Sequence, residues 1–130
     1  MFPLTSRILV VDDMLTMRKI LTRALNQLGF LNITEAVDGV AGWQAVLTAS
    51  PPIDVIISDW MMPKSTGMDL LKRVRADRRF KSTPVILLTA ESDKAQVIAA
   101  LSAGATGYVV KPFDVASLRE QLEKAADKAV

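Results

Sequence analysis

Short apolar runs punctuate the chain at "RILVV" (7–11), "DVIIS" (54–58), "PVILLT" (84–89) and "GYVVK" (107–111), with a weaker one at "NITEA" (32–36). Their apolarity is continuous rather than alternating, which means burial on both faces and predicts strands of a parallel sheet. Between the runs, apolar residues recur at helical spacing. Met14, Met17, Leu21, Ala24, Leu25 and Leu28 share one face and stop at Gly29, a C-cap. Val40, Trp43 and Leu47 follow Asp38, which is placed to cap a second helix. Leu70, Leu71 and Val74 follow "STGMD", where Thr66 and Asp69 have capping-box spacing. Ile98, Leu101 and Ala105 mark a fourth helical region ending near Gly104, and Val115, Leu118, Leu122 and Ala125 a fifth after Asp114.

Strands alternating with helices of this length predict βαβ units with right-handed crossovers. The expected fold is therefore α/β: a (βα)5, doubly wound, flavodoxin-like sheet of five parallel strands in the order 2-1-3-4-5, with helices on both faces. Residues 1–130 read as a single domain, with "SPP" at 50–52 as a turn before the third strand and no linker or repeat.

Composition narrows the chemistry. Sixteen Lys and Arg against 14 Asp and Glu leave a net charge of +2, too small to argue for a nucleic-acid partner. No apolar run approaches the roughly 18 residues of a membrane helix, and "MFPLTSRILVVDD" lacks the features of a signal peptide, so a cytoplasmic protein without membrane insertion is expected. Zero Cys excludes disulfides, thiolate zinc sites and a Cys nucleophile; zero His excludes an imidazole base and a phosphohistidine on this chain. Carboxylates, hydroxyls and amines must carry any reaction.

In an open sheet of this order, the ligand crevice lies beyond the carboxyl ends of the strands, between the first and third. Asp12 and Asp13 follow the first run and Asp59 the third, so topology gathers three acids. Two carboxylates about 4 Å apart repel by roughly 4 kcal/mol at a near-surface effective dielectric. A hard cation with oxygen ligands offsets this, and Mg2+ fits better than a fully caged Ca2+. Thr89 and Lys111 close two further strands on the same edge. Acids, Mg2+, a hydroxyl and an ammonium suit phosphoryl transfer, which relies on alignment and charge neutralisation. With no GxxxxGK(S/T) loop for a nucleotide, the phosphoryl group lands on the protein, with an Asp carboxylate as nucleophile. Taken singly, each residue has a plainer reading: Asp13 caps the first helix, Thr89 is an N-cap and Lys111 a solvated edge lysine. The convergence of four strand ends on one side favours the site.

"VVDD", "ISDWMMP", "LLTAE" and "GYVVKPF", in that order, resemble the receiver domain of two-component response regulators, and "TMR", "EAVDG" and "AGATGYVVKPF" extend the resemblance toward the single-domain chemotaxis regulators. The resemblance covers essentially the whole chain. It implies Asp59 as phosphoacceptor, a sensor histidine kinase or a small phosphodonor as the source, and Mg2+ held directly by Asp13, Asp59 and the Met61 carbonyl, with Asp12 acting through water. It further implies that Thr89 and Lys111 bind phosphoryl oxygens, that the Lys111–Pro112 bond is cis, and that Tyr108 rotates inward as the switch. A downstream target, such as a flagellar motor switch, would meet the face formed by the fourth helix, fifth strand and fifth helix, near Lys94, Arg119 and Lys124. Met61 stands where enteric chemotaxis regulators carry Asn; a thioether cannot bond strongly to a hydrolytic water, which bears on autodephosphorylation and on recognition by a phosphatase.

Rival readings come from within the family and from two other classes. Within the family, the chain could be a phosphorelay intermediate or a receiver belonging to a larger regulator. An aspartate-nucleophile phosphatase of the haloacid type also uses a strand-end Asp and Mg2+, but needs an acid two residues further on, where Met61 stands. A flavin-binding flavodoxin shares the layout but not the clustered acids.

Overall fold

The structure, a computed structural model, describes residues 1–60, 62, 65–90 and 94–128. Strands and helices alternate without exception: β1 (Ile8–Val11), α1 (Leu15–Gln27), β2 (Ile33–Ala36), α2 (Gly39–Thr48), β3 (Val55–Asp59), α3 (Gly67–Ala76), β4 (Val85–Thr89), α4 (Lys94–Ser102), β5 (Gly107–Val110) and α5 (Val115–Lys128). The five strands pair in parallel in the order β2-β1-β3-β4-β5, as the continuous apolar runs require.

Successive strand side chains point to opposite faces, so each run feeds two cores. Ile8, Val10, Val55, Ile57, Ile86 and Leu88 pack with Leu21, Leu25, Leu118 and Leu122 beneath α1 and α5. Leu9, Val11, Ile56, Val85 and Leu87 pack with Val46, Leu70, Leu71 and Val74 beneath α2 and α3. β2 is one of the two edge strands, and only Ala36 of its four residues is buried, which explains its weak sequence signal.

The caps follow sequence chemistry. Asp38 Oδ1 accepts from the Ala41 amide at 2.8 Å, and Thr66 and Asp69 exchange both bonds of a capping box. Asp114 Oδ1 accepts from the Ser117 amide at 2.7 Å at the start of α5. Gly29 and Gly104 follow α1 and α4 with φ of 101° and 102°, a region closed to most side chains.

Two helical faces differ from expectation. In α2 the buried residues are Gly39, Gly42 and Val46, while Val40 is exposed. A Cβ on Gly42 would lie 3.0 Å from Val11 Cγ2, so α2 seats its backbone close to the sheet and small residues form the contact. In α4, Ala100 is the buried residue and Ile98 and Leu101 face outward; Ala105 is buried beyond the helix end. Met14 likewise precedes α1 as its exposed N-cap residue rather than lying on its inner face. Residue size, not hydropathy, decides which side of these short helices can approach the sheet.

Away from the carboxyl ends of the strands, Arg75 ties the end of α3 to its neighbours. Its guanidinium donates to the carbonyls of Gly104 (2.8 Å) and Thr83 (2.6 Å) and to Thr106 Oγ1 (3.2 Å).

Candidate functional site

β1 and β3 are adjacent, and both end at the same sheet edge in acids. One carboxylate oxygen from each of Asp12, Asp13 and Asp59 lies within 4.8 Å of the others. Asp12 is fully buried, Asp59 is buried and Asp13 is exposed at the mouth. At that spacing each pair of ionised groups repels by about 3–4 kcal/mol at an effective dielectric near 20.

Among the described residues, one cation enters the cluster. Lys111 Nζ lies 3.0 Å from Asp59 Oδ1 and 3.6 Å from Asp12 Oδ2. The Lys111 amide donates to the Thr89 carbonyl at 2.7 Å, and Thr89 pairs with Val110 in the sheet. The buried Thr89 and the lysine are thus fixed to one another through the backbone at the ends of β4 and β5. The Lys111–Pro112 peptide is cis, as the resemblance implies, and Ser50–Pro51 is cis as well.

Asp12 Oδ1 accepts from the Met14 amide at 2.9 Å, whereas Asp12 Oδ2 is buried with no hydrogen bond. Burial, opposed by the Met14 amide and reinforced by Asp59, holds the Asp12 carboxyl above the usual carboxylate range. Among the described residues, a single ammonium with three carboxylates leaves net negative charge and a buried oxygen without a hydrogen bond. Such a donor set, oxygen-only and open at Asp13, fits a hard divalent cation. Asp13 does not cap α1; the Asp12 side chain takes the amide at that turn instead.

The floor of the site depends on Gly67. Its amide donates to the Trp60 carbonyl at 2.9 Å, and a Cβ there would collide with the backbone carbonyl oxygen of Asp59. The first residue of α3 therefore packs directly beneath the end of β3.

The sequence model of the response regulator receiver domain family matches residues 8–123. The chain belongs to that family. The receiver is 49% identical to chemotaxis protein CheY1 of Helicobacter pylori over 117 residues, covering 90% of this chain and 94% of that one. It is 45% identical to chemotaxis protein CheY of Pseudomonas aeruginosa over 122 residues, covering 94% and 97%. Its fold matches the crystallised CheY4 of Vibrio cholerae with a TM-score of 0.84 and 33% identity, over 93% of this chain and 98% of that one. It also matches the receiver domain of a Pseudomonas aeruginosa sensor histidine kinase, solved with a magnesium ion coordinated in its active-site cleft, with a TM-score of 0.81 and 26% identity over 94% and 98%. A receiver of this family is a signalling switch in two-component systems, with a kinase upstream and a target downstream.

Asp12, Asp13, Asp59, Thr89 and Lys111 therefore stand together at one edge of the receiver, as the strand ends predicted. Met61, the expected carbonyl ligand, lies outside the described residues. Tyr108 is half-buried on β5, opposite Leu87 of β4, and borders a surface cavity with Val110, Pro112 and Gln121. Sequence reasoning gave no role to Arg18 or Glu35. Arg18 Nη1 donates to the Asp12 carbonyl at 2.8 Å and Arg18 Nε to Glu35 Oε1 at 3.1 Å. The sequence signal was that Arg18 ends the "TMR" motif and Glu35 opens the "EAVDG" motif. Among the described residues, no helix is long and apolar enough to cross a membrane.

Proposed function

We propose that this receiver is a Mg2+-dependent, aspartate-phosphorylated switch of chemotaxis signalling, with Asp59 as the phosphoacceptor. The observation that carries the reading is the Lys111 ammonium held 3.0 Å from Asp59 at the mouth of a three-carboxylate cluster. The names of the relatives support the pathway assignment. Asp13, Asp59 and the Met61 carbonyl would hold Mg2+ directly and Asp12 through water; the ion, when bound, supplies positive charge that neutralises the incoming phosphoryl group.

A carboxylate oxygen of Asp59 attacks the phosphorus of a kinase phosphohistidine or of a small acyl phosphate. An O–P bond to Asp59 forms as the P–N or P–O bond to the donor breaks, and the departing group leaves with the bonding electron pair. Lys111, already beside Asp59, pairs with a phosphoryl oxygen, and the Thr89 hydroxyl donates to another. The acyl phosphate brings about two negative charges and new acceptor oxygens. Thr89 and Lys111 follow them, and Tyr108 moves into the space left by Thr89. The resulting population shift alters the α4–β5–α5 face, where a downstream partner, in this pathway a flagellar motor switch, would dock. The receiver catalyses only its own phosphorylation and dephosphorylation, acts as one domain over residues 1–130, and works in the cytoplasm.

Intact-mass measurement after incubation with acetyl phosphate and Mg2+ tests the assignment. One phosphoryl group should be gained by the natural sequence and none by Asp59→Asn. Labelling of the variant would reject Asp59 as acceptor.

A further inference from the structure

β1 ends in a way that leaves one backbone group to be accounted for. Val11 pairs with Ala36, and the Asp12 amide still donates to the Ala36 carbonyl at 3.1 Å. β2 stops at Ala36, so the ladder offers nothing further on that side. The next acceptor is the Asp12 carbonyl, which belongs to the peptide joining Asp12 to Asp13. A buried carbonyl requires a donor, and the orientation of this peptide sets the direction in which both acids leave the strand.

Arg18 supplies that donor. Its Nη1 reaches the Asp12 carbonyl at 2.8 Å while its Nε donates to Glu35 Oε1 at 3.1 Å. The Arg18 side chain is only 13% exposed, and Lys19 Nζ takes the other Glu35 oxygen at 2.9 Å. One carboxylate on β2 thus anchors the guanidinium, and the guanidinium caps β1 where its hydrogen-bonded ladder ends. Glu35 stays ionised below the usual glutamate range, chiefly through the Lys19 bond and, against some burial, the Arg18 bond.

We infer that Arg18 is a positioning residue for the metal site: anchored by Glu35, it fixes the Asp12–Asp13 peptide so that the two carboxylates meet Asp59. The inference rests on the Mg2+ reading above. Mg2+ demands near-ideal octahedral placement of its ligands, so a small rotation of this peptide costs affinity. Loss of an outer partner of this kind typically weakens metal binding by about 10–100-fold. A purely electrostatic role has the opposite sign, because removing a cation next to an anionic pocket would tighten Mg2+ binding. The planar fork also separates the two roles, since lysine keeps the charge but cannot make both bonds in the same geometry.

Calorimetric titration with Mg2+ alone, on the full chain and its variants, decides the matter. Arg18→Lys and Arg18→Ala should both weaken Mg2+ by at least about tenfold. Glu35→Gln, which keeps an acceptor for Arg18, should stay within about threefold of the natural sequence, and Glu35→Ala should fall between them. Thermal melts of the metal-free proteins check that each variant is folded. Should Arg18→Ala unfold, Arg18→Lys and Glu35→Ala carry the comparison. Unchanged or tighter Mg2+ binding in the Arg18 variants would overturn the positioning role while leaving the Mg2+ reading intact. No Mg2+ binding by the natural sequence, or binding undiminished in Asp13→Asn, would overturn both.

Discussion

Lys111 Nζ stands 3.0 Å from Asp59 Oδ1, nearer than its 3.6 Å to the fully buried Asp12. On the proposed function, the ammonium that neutralises Asp59 before reaction would also be the group that follows a phosphate afterwards. An ammonium shared by two carboxylates sits where a small displacement changes its partner, so it is a structural counter-ion that could also serve the proposed switch as a sensor.

Removing this ammonium should expose its structural role. In metal-free protein, Lys111→Ala removes the cation that the described residues bring to the buried carboxylates and should lower stability by about 1–3 kcal/mol. Added Mg2+ should restore more stability to the variant than to the natural sequence, because binding to the folded state is linked to folding. Urea denaturation with and without Mg2+ measures this; equal metal-free stability of the two proteins would remove the counter-ion role.

Chelation should stop phosphoryl uptake. With acetyl phosphate as donor, excess EDTA should reduce labelling of the natural sequence to background, and Asp13→Asn should slow it by at least about tenfold. Labelling that proceeds equally well without divalent ion would contradict the metal's part in the reaction.

Gly67→Ala tests the floor of the site. The added Cβ collides with the Asp59 carbonyl, a backbone atom that cannot swing aside. Overpacking of this kind costs about 1–3 kcal/mol, and here it should also displace Asp59 and slow acetyl phosphate labelling. A variant with unchanged melting temperature and labelling rate would show that the α3 entry has room to shift.

The Glu35 network predicts a pH dependence. The folded-state pKa of Glu35 lies below its ordinary value, first through the Lys19 hydrogen bond. Its contribution to stability is therefore present above the ordinary glutamate pKa and is lost as pH falls through the depressed folded value. The stability advantage of the natural sequence over Glu35→Gln should be present at neutral pH and close progressively under acid. Chemical denaturation across that range checks it, and a gap that widens on acidification would have the wrong sign.

The sequence determined the sheet and the edge that carries the site. Continuous β-branched runs such as "DVIIS" can only be buried on both faces, and parallel connection then places Asp12, Asp13, Asp59, Thr89 and Lys111 at one end of the strands. Asp38 and the Thr66–Asp69 pair marked helix starts because capping is a bond between residues three apart. Other features depended on how closely distant elements approach. Gly42 and Ala100 face the cores while Val40 and Ile98 do not, because small residues let short helices settle against the sheet. Arg18 reaches the Asp12 carbonyl only because β2 ends at Ala36 and brings Glu35 beside α1. Local pattern records whether a residue is buried; the distance between groups far apart in the chain is set by packing, and only the tertiary structure supplies it.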